Sequence, residues 1–276
     1  MGNCCAAPRL AVSPQPASTL NFDEMTLAPP ETMALMHGRG TAYDAALPWP
    51  AYVLDRWLTP ALARAMLSPP LAHVPLTAPC LRDLIAGRTH AALREELRAA
   101  MDPGREYFVR TSMCSAKVGA HPAPARSPED VVEQILASQR CRTALATPNV
   151  AHSIWLMPWE KDCDITREFR VFVKDRRVVA MAPYYCAVVL PWISDVKTAT
   201  KVGRAVLRFF DEYIADQIAF EEAVMDVIYM VTGEVRLIEF NPLLTSGGGL
   251  FSWVTDRDLL AGKKKQVVMR FVEDDY

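Results

Sequence analysis

Two β-rich runs, AVMDVIYMV (Ala223–Val231) and EVRLIEF (Glu234–Phe240), stand on either side of Thr232-Gly233. That pattern predicts an antiparallel hairpin with a two-residue turn. With Val231 pairing Glu234, counting back along the strands puts Asp226 directly opposite Glu239. Cross-strand partners lie about 5 Å apart, and like charges at that distance are destabilising. Side chains alternate along a strand, so Asn241 joins Glu239 on the same face. Two carboxylates and an amide therefore converge within apolar strands. A hard divalent cation would relieve the repulsion, and Mg²⁺ prefers oxygen donors such as one or two carboxylates together with phosphate oxygens. Pro242 ends the strand, and the TSGGG that follows offers backbone amides and close approach. The plain alternative is a solvated acid at a strand end, and the glycine run alone identifies nothing.

The chain has 276 residues, enough to bury a core in one large domain or two joined lobes. Its net charge of −2 gives no basic field to draw nucleic acid or an anionic membrane. Seven cysteines without a CxxC pair, and five scattered histidines, suit a reducing cytoplasm and provide no zinc framework. The best apolar run, Ala180 to Ile193, is short and broken by Pro183 and Pro191, so it is not a membrane span. At the start, MGNCCA sets Gly2 where a myristate would attach, with Cys4 and Cys5 as palmitoylation sites. Ala6 leaves that motif incomplete, and a disordered leader is the plain reading. Membrane association is expected only if this terminus is lipidated.

Residues 1–45 are rich in Pro, Ala and Ser without sustained periodicity, which predicts a poorly ordered arm. RDLIAGRTHAALREELRAAM (Arg82–Met101) reads as helical, with Leu93, Leu97 and Ala100 on one face. REYFVRTS reads as a strand. Ser127-Pro128-Glu129-Asp130 starts a helix running to about Thr143, with serine capping and two acids at the positive end of the dipole. HSIWLMPW is a further strand. REFRVFVKDRRVVAMA is a hairpin around Asp175-Arg176-Arg177, with Glu168, Arg170 and Phe172 on one face. From Asp195 to Asp216 a helix repeats Val202, Val206, Phe209, Phe210, Tyr213 and Ile214. Strands and helices in this mixed order predict an α+β fold.

Four motifs in order resemble the cell division cycle protein 123 family, a divergent branch of the ATP-grasp fold. They are Glu168-Phe169-Arg170-Val171-Phe172-Val173, Asp226 on its strand, Leu237-Ile238-Glu239-Phe240-Asn241-Pro242, and Leu250-Phe251-Ser252-Trp253. The resemblance is good from about Ile154 to Trp253, weaker from Tyr107 to Lys117, and absent from the first 45 residues. It implies an ATP-grasp fold of two α+β lobes, residues 46–155 and 156–276, with a nucleotide site between them. It also implies ATP and Mg²⁺ as cofactors, with Asp226, Glu239 and Asn241 as metal ligands and Glu168 and Arg170 at the nucleotide, Arg170 on phosphate. A Glu168–Arg170 surface pair is the plain alternative. Leu156, Met157, Pro158 and Trp159 correspond to a hinge against adenine, where ordinary core packing would also suit a Met and a Trp. Arg110 and Lys117 correspond to two cations that reach the phosphates from the first lobe. The chain departs from the family pattern with Arg at 110, Glu at 239 and LLTSGGG in place of an acidic loop.

Two functions follow from the resemblance. One is an ATP-dependent carboxylate–amine ligase or protein-modifying enzyme acting on an amino acid or protein acceptor. There Mg²⁺, Arg110, Lys117 and Arg170 position and neutralise the phosphates, with Lys117 and Arg170 as catalytic cations. The other is a nucleotide-binding assembly factor for translation initiation factor two, acting through its gamma subunit. The family's acidic partner-binding segments have no counterpart in this sequence.

Overall fold

The computed structural model describes residues 9–19, 49–117, 123–186, 188–243 and 246–273. Gly2, Cys4, Cys5 and most of the expected N-terminal arm lie outside the described residues. The strands are β1 (Leu10–Pro16), β2 (Ala72–Pro75), β3 (Tyr107–Thr111), β4 (Ser153–Pro158), β5 (Glu168–Lys174), β6 (Arg177–Pro183), β7 (Ala223–Tyr229), β8 (Val235–Asn241) and β9 (Val267–Glu273). The longer helices are α1 (Ala78–Ile85), α2 (Ala91–Ala100), α3 (Pro128–Ala137), α4 (Gln139–Leu145) and α5 (Val196–Phe209). Together they make an α+β chain of two compact units. Of the described residues, one unit holds those within 49–64 and 68–163; the other holds those within 9–19, 65–67 and 164–273. In sequence the two units meet at Cys163–Asp164, and β4 lies whole within the first as the central strand of its sheet.

The unit containing residues 68–163 has a three-stranded sheet in the order β2-β4-β3, antiparallel throughout. Ile154 and Leu156 of β4 pack with Leu84, Leu93, Leu97, Val131, Val132 and Ile135 from the helices in one core cluster. The expected helix over 82–101 is two helices. Gly87 adopts φ +74°, a left-handed value that ends the first, and His90 caps the second by accepting from the Ala92 N–H. The expected helix from Ser127 also stops early. Ser127 and Asp130 form a reciprocal capping box, but Ser138 then takes an extended backbone and caps α4.

The second unit has a six-stranded sheet in the order β1-β9-β6-β5-β7-β8. The sequence reading places β1 inside a poorly ordered arm, yet Leu10–Pro16 pairs parallel with Val267–Glu273. Pro14 and Pro16 are tolerated because β1 is an edge strand with only one neighbour to bond. Helix α5 crosses β1 and β9 closely at Gly203, where an added Cβ would meet Leu10 Cδ2 at 2.8 Å and Met269 Sδ at 2.9 Å. The helix passes into a π-helical turn over Phe210–Ile214, which changes the side-chain period and leaves Tyr213 53% exposed instead of in the core.

The β5–β6 hairpin turns at Asp175-Arg176, both at positive φ (51° and 55°), so Arg177 is the first residue of β6 and not part of the turn. The β7–β8 hairpin corrects the expected two-residue turn. Its loop is Val231-Thr232-Gly233: the Gly233 N–H donates to Met230 O and the Met230 N–H to Glu234 O. Gly233 sits at φ +89°, as a three-residue loop requires. This shifts the pairing by one, so Tyr229 faces Val235 and Val227 faces Leu237. A β-bulge at Ile238 then absorbs the extra residue, and Asp226 faces Glu239 after all.

Candidate metal and phosphate site

One row of residues runs across the second unit's sheet. Ala182 on β6, Arg170 on β5, Asp226 on β7 and Glu239 on β8 are successive cross-strand partners. The Arg170 guanidinium grips Asp226 with two hydrogen bonds, Nε to Oδ1 at 3.1 Å and Nη2 to Oδ2 at 3.2 Å. Its Nη1 donates to the Gly247 carbonyl at 3.4 Å, and its plane lies over the Tyr184 ring at 4.8 Å. Asn241 Nδ2 donates to Asp226 Oδ2 at 3.1 Å and to Glu239 Oε1 at 3.2 Å.

The repulsion between the two acids is thus already eased by a guanidinium and an amide, where the sequence reading required a bound cation. Asp226 is 1% exposed and Arg170 17%. Burial works against the charge on Arg170, but the Asp226 carboxylate and its hydrogen bonds outweigh it, with help from Tyr184 and Glu168, and hold the guanidinium above its ordinary value.

This set of donors fits Mg²⁺. Asp226, Glu239 and the Asn241 side-chain oxygen are hard donors without sulfur or imidazole among them. Asn241 Nδ2 already sits between the two carboxylates, at a point where a positive group is favoured. Two carboxylates against one guanidinium leave these three side chains with one net negative charge. Among the described residues no group of three or more His, Cys, Asp or Glu side chains converges, so any metal here would need the Asn241 oxygen and ligands from outside the protein.

Beside the row, on the same face of the sheet, lies a core made by the C-terminal motif. Phe172 meets Phe251 at 5.6 Å and Trp253 at 6.0 Å, both edge-on. Trp253 Nε1 donates to Ser246 O, and Arg270 binds Asp256 through both guanidinium nitrogens while covering the Phe251 ring. The LFSW segment therefore packs the face that carries the site. The glycine run makes a tight turn: the Phe251 N–H donates to Gly248 O, and an added Cβ on Gly248 would lie 2.0 Å from Phe251 O.

The remaining predicted residues belong to the other unit. Arg110 is buried on β3 opposite Trp155 of β4, and Lys117 is exposed next to undescribed residues 118–122. Leu156 and Met157 are buried within β4. Pro158 and Trp159 border a cavity of about 320 Å³, lined also by Gly104, Arg105, Glu106, Arg126 and Lys161. The Trp159 N–H is bonded to Glu106 O at 3.2 Å. Glu106 accepts from Arg126 Nη2 at 2.6 Å and lies 3.0 Å from Lys161 Nζ. Glu168 is buried at the start of β5, on the same strand face as Arg170.

Sequence reasoning missed Tyr184, the Gly247 carbonyl and the Glu106 cluster. Tyr184 had a signal: once Ala182 is placed opposite Arg170, the residue two further on shares that face. The Glu106 cluster had none, since Glu106, Arg126 and Lys161 are brought together by tertiary contacts.

The fold is an α+β fold of the kind seen in solved Cdc123 structures. The structure of Cdc123 from Schizosaccharomyces pombe matches with a TM-score of 0.64 at 13% identity, covering 80% of this chain and 95% of that one. A C-terminally truncated form of the same protein matches with a TM-score of 0.65 at 15% identity, with the same coverage. D-Alanine-D-alanine ligase from Helicobacter pylori gives a TM-score of 0.42 at 14% identity, over 78% of this chain and 59% of that one. The comparison with curated proteins finds no match. The D123 family model matches residues 127–276, more than half of the sequence, and the chain belongs to the D123 family.

Proposed function

We propose that this protein binds ATP as its magnesium complex, with Asp226, Glu239 and Asn241 holding the metal and Arg170 contacting phosphate. One observation carries the reading: a guanidinium, two carboxylates and an amide share one face across neighbouring, largely apolar strands. Isolated charges in such a setting are costly, and a bound metal–phosphate group would use all four. Mg²⁺ would supply charge neutralisation at the phosphates.

Membership of the D123 family favours a nucleotide-dependent assembly factor, and the gamma subunit of translation initiation factor two is the partner that the family resemblance suggests. The full complement of acids and cations also suits an ATP-dependent ligase, which needs no nucleophile from the protein. A thermal-shift series with ATP, Mg²⁺ and both tests the shared premise. Saturation near 100 times the dissociation constant adds roughly 2.7 kcal/mol of stability, and Asp226→Asn should remove the Mg²⁺-dependent part. No stabilisation by the pair beyond either component alone would sink the proposal. ADP release with candidate acceptors then separates a ligase from an assembly factor.

A further inference from the structure

We infer that Arg170 acts as an internal stand-in cation, and that the site therefore selects a metal–nucleotide complex over free divalent metal or free nucleotide. The inference rests on the MgATP reading and concerns how that site chooses its ligand. Each half of the site is occupied by the other. Asp226, a metal ligand in the proposed complex, has both oxygens engaged by Arg170, and Arg170, the proposed phosphate contact, has two of its nitrogens engaged by Asp226. Asn241 turns its Nδ2 towards both acids, so its oxygen is not the group directed at them.

A divalent ion arriving alone must displace a part-buried guanidinium from its buried carboxylate and leave Arg170 without that partner. A nucleotide arriving without metal must draw Arg170 away and leave Asp226 and Glu239 facing each other without its charge. Both steps strand a buried charge, which is strongly unfavourable. When metal and phosphate arrive together, Asp226 exchanges one cation for another and Arg170 exchanges one anion for another. Tyr184 and the Gly247 carbonyl also hold the guanidinium, independently of Asp226, so the exchange needs only a local movement of its fork. Metal and nucleotide binding are then coupled, and each strengthens the other by the same factor.

The test measures Mn²⁺ binding by electron paramagnetic resonance with MnCl₂ alone, and ATP binding by calorimetry in EDTA and in Mg²⁺. The wild-type protein should bind Mn²⁺ weakly without nucleotide and bind ATP at least about tenfold more tightly with Mg²⁺ than in EDTA. Arg170→Met frees Asp226 and should gain nucleotide-independent Mn²⁺ binding, at least about tenfold tighter than wild type, while losing ATP affinity. Arg170→Lys keeps the charge without the fork and should fall between the two. It also serves as the readout if the methionine variant does not fold. Equal Mn²⁺ affinity in the wild type and the Arg170 variants overturns the inference while leaving MgATP binding intact. Failure of the wild-type protein to bind MgATP removes both.

Discussion

Each unit sets positively charged side chains against a carboxylate, one at Asp226 and two at Glu106, but the two clusters differ in their access to water. Asp226 and Arg170 are 1% and 17% exposed, and each fixes the other's position within a strand row. Around Glu106, Arg126 is 66% and Lys161 71% exposed, and both reach it along flexible stems. Distances alone would rank the Glu106 cluster higher, since its shortest contact is 2.6 Å against 3.1 Å for Asp226. Energetics reverse that order. A pair in high dielectric loses most of its Coulomb energy and some side-chain entropy. A buried pair is held together by what either member would suffer if left alone.

The sharpest way to break this contrast is Asp226→Ala. It strands Arg170 beside Tyr184 in a buried row and removes an acceptor from Asn241. A loss of about 3–5 kcal/mol is expected, measured by urea unfolding. Arg170→Met combined with Asp226→Leu should recover much of that loss, because an apolar pair of similar volume strands neither member of the ion pair. If Asp226→Ala costs no more than an exposed substitution, the row is not a structural unit.

Asp226 and Glu239 could be placed face to face from sequence, but for an incomplete reason. The count assumed a two-residue turn. The real turn is one residue longer, and the bulge at Ile238 cancels the difference. Neither feature is local: a Thr-Gly pair admits both loop lengths, and a bulge depends on what the flanking side chains pack against. Strand β1 was hidden because its pairing with β9 spans almost the whole chain and its prolines read as loop. The helix breaks at Gly87 and Ser138 did leave signals, a glycine and a capping serine inside otherwise periodic runs. Arg170 was visible as a candidate, but its partner was not. Alternation puts Arg170 on the face of Glu168, while only the β5–β7 register sets it against a carboxylate 56 positions away.

Gly248→Ala sharpens the comparison from the backbone side. The new Cβ would lie 2.0 Å from the Phe251 carbonyl, so the turn carrying the Gly247 carbonyl must shift away from Arg170. Overpacking of this kind costs about 1–3 kcal/mol. Near-ultraviolet circular dichroism would report movement of Phe251 and Trp253, which pack on Phe172 beside the site. An unchanged aromatic signal with unchanged stability would mean that the turn does not support the row.

The smallest effect is expected from Glu106→Gln, and its value lies in how it responds to conditions. Lys161 first, and Arg126 with it, hold the Glu106 carboxyl below the usual carboxylate range. A carboxylate whose pKa is lowered on folding contributes stability above its unfolded pKa, near 4.3. That contribution is lost as pH falls through the lower, folded value. Any difference between wild type and Glu106→Gln should therefore be present at pH 7 and close as the pH drops below about 4. Salt should close it as well, because at 1 M the screening length falls to about 3 Å and these cations are solvated. The loss from Asp226→Ala should persist in the same salt. A Glu106 variant that loses as much as Asp226→Ala, and keeps that loss in 1 M salt, would mean that exposure is not what separates the two clusters.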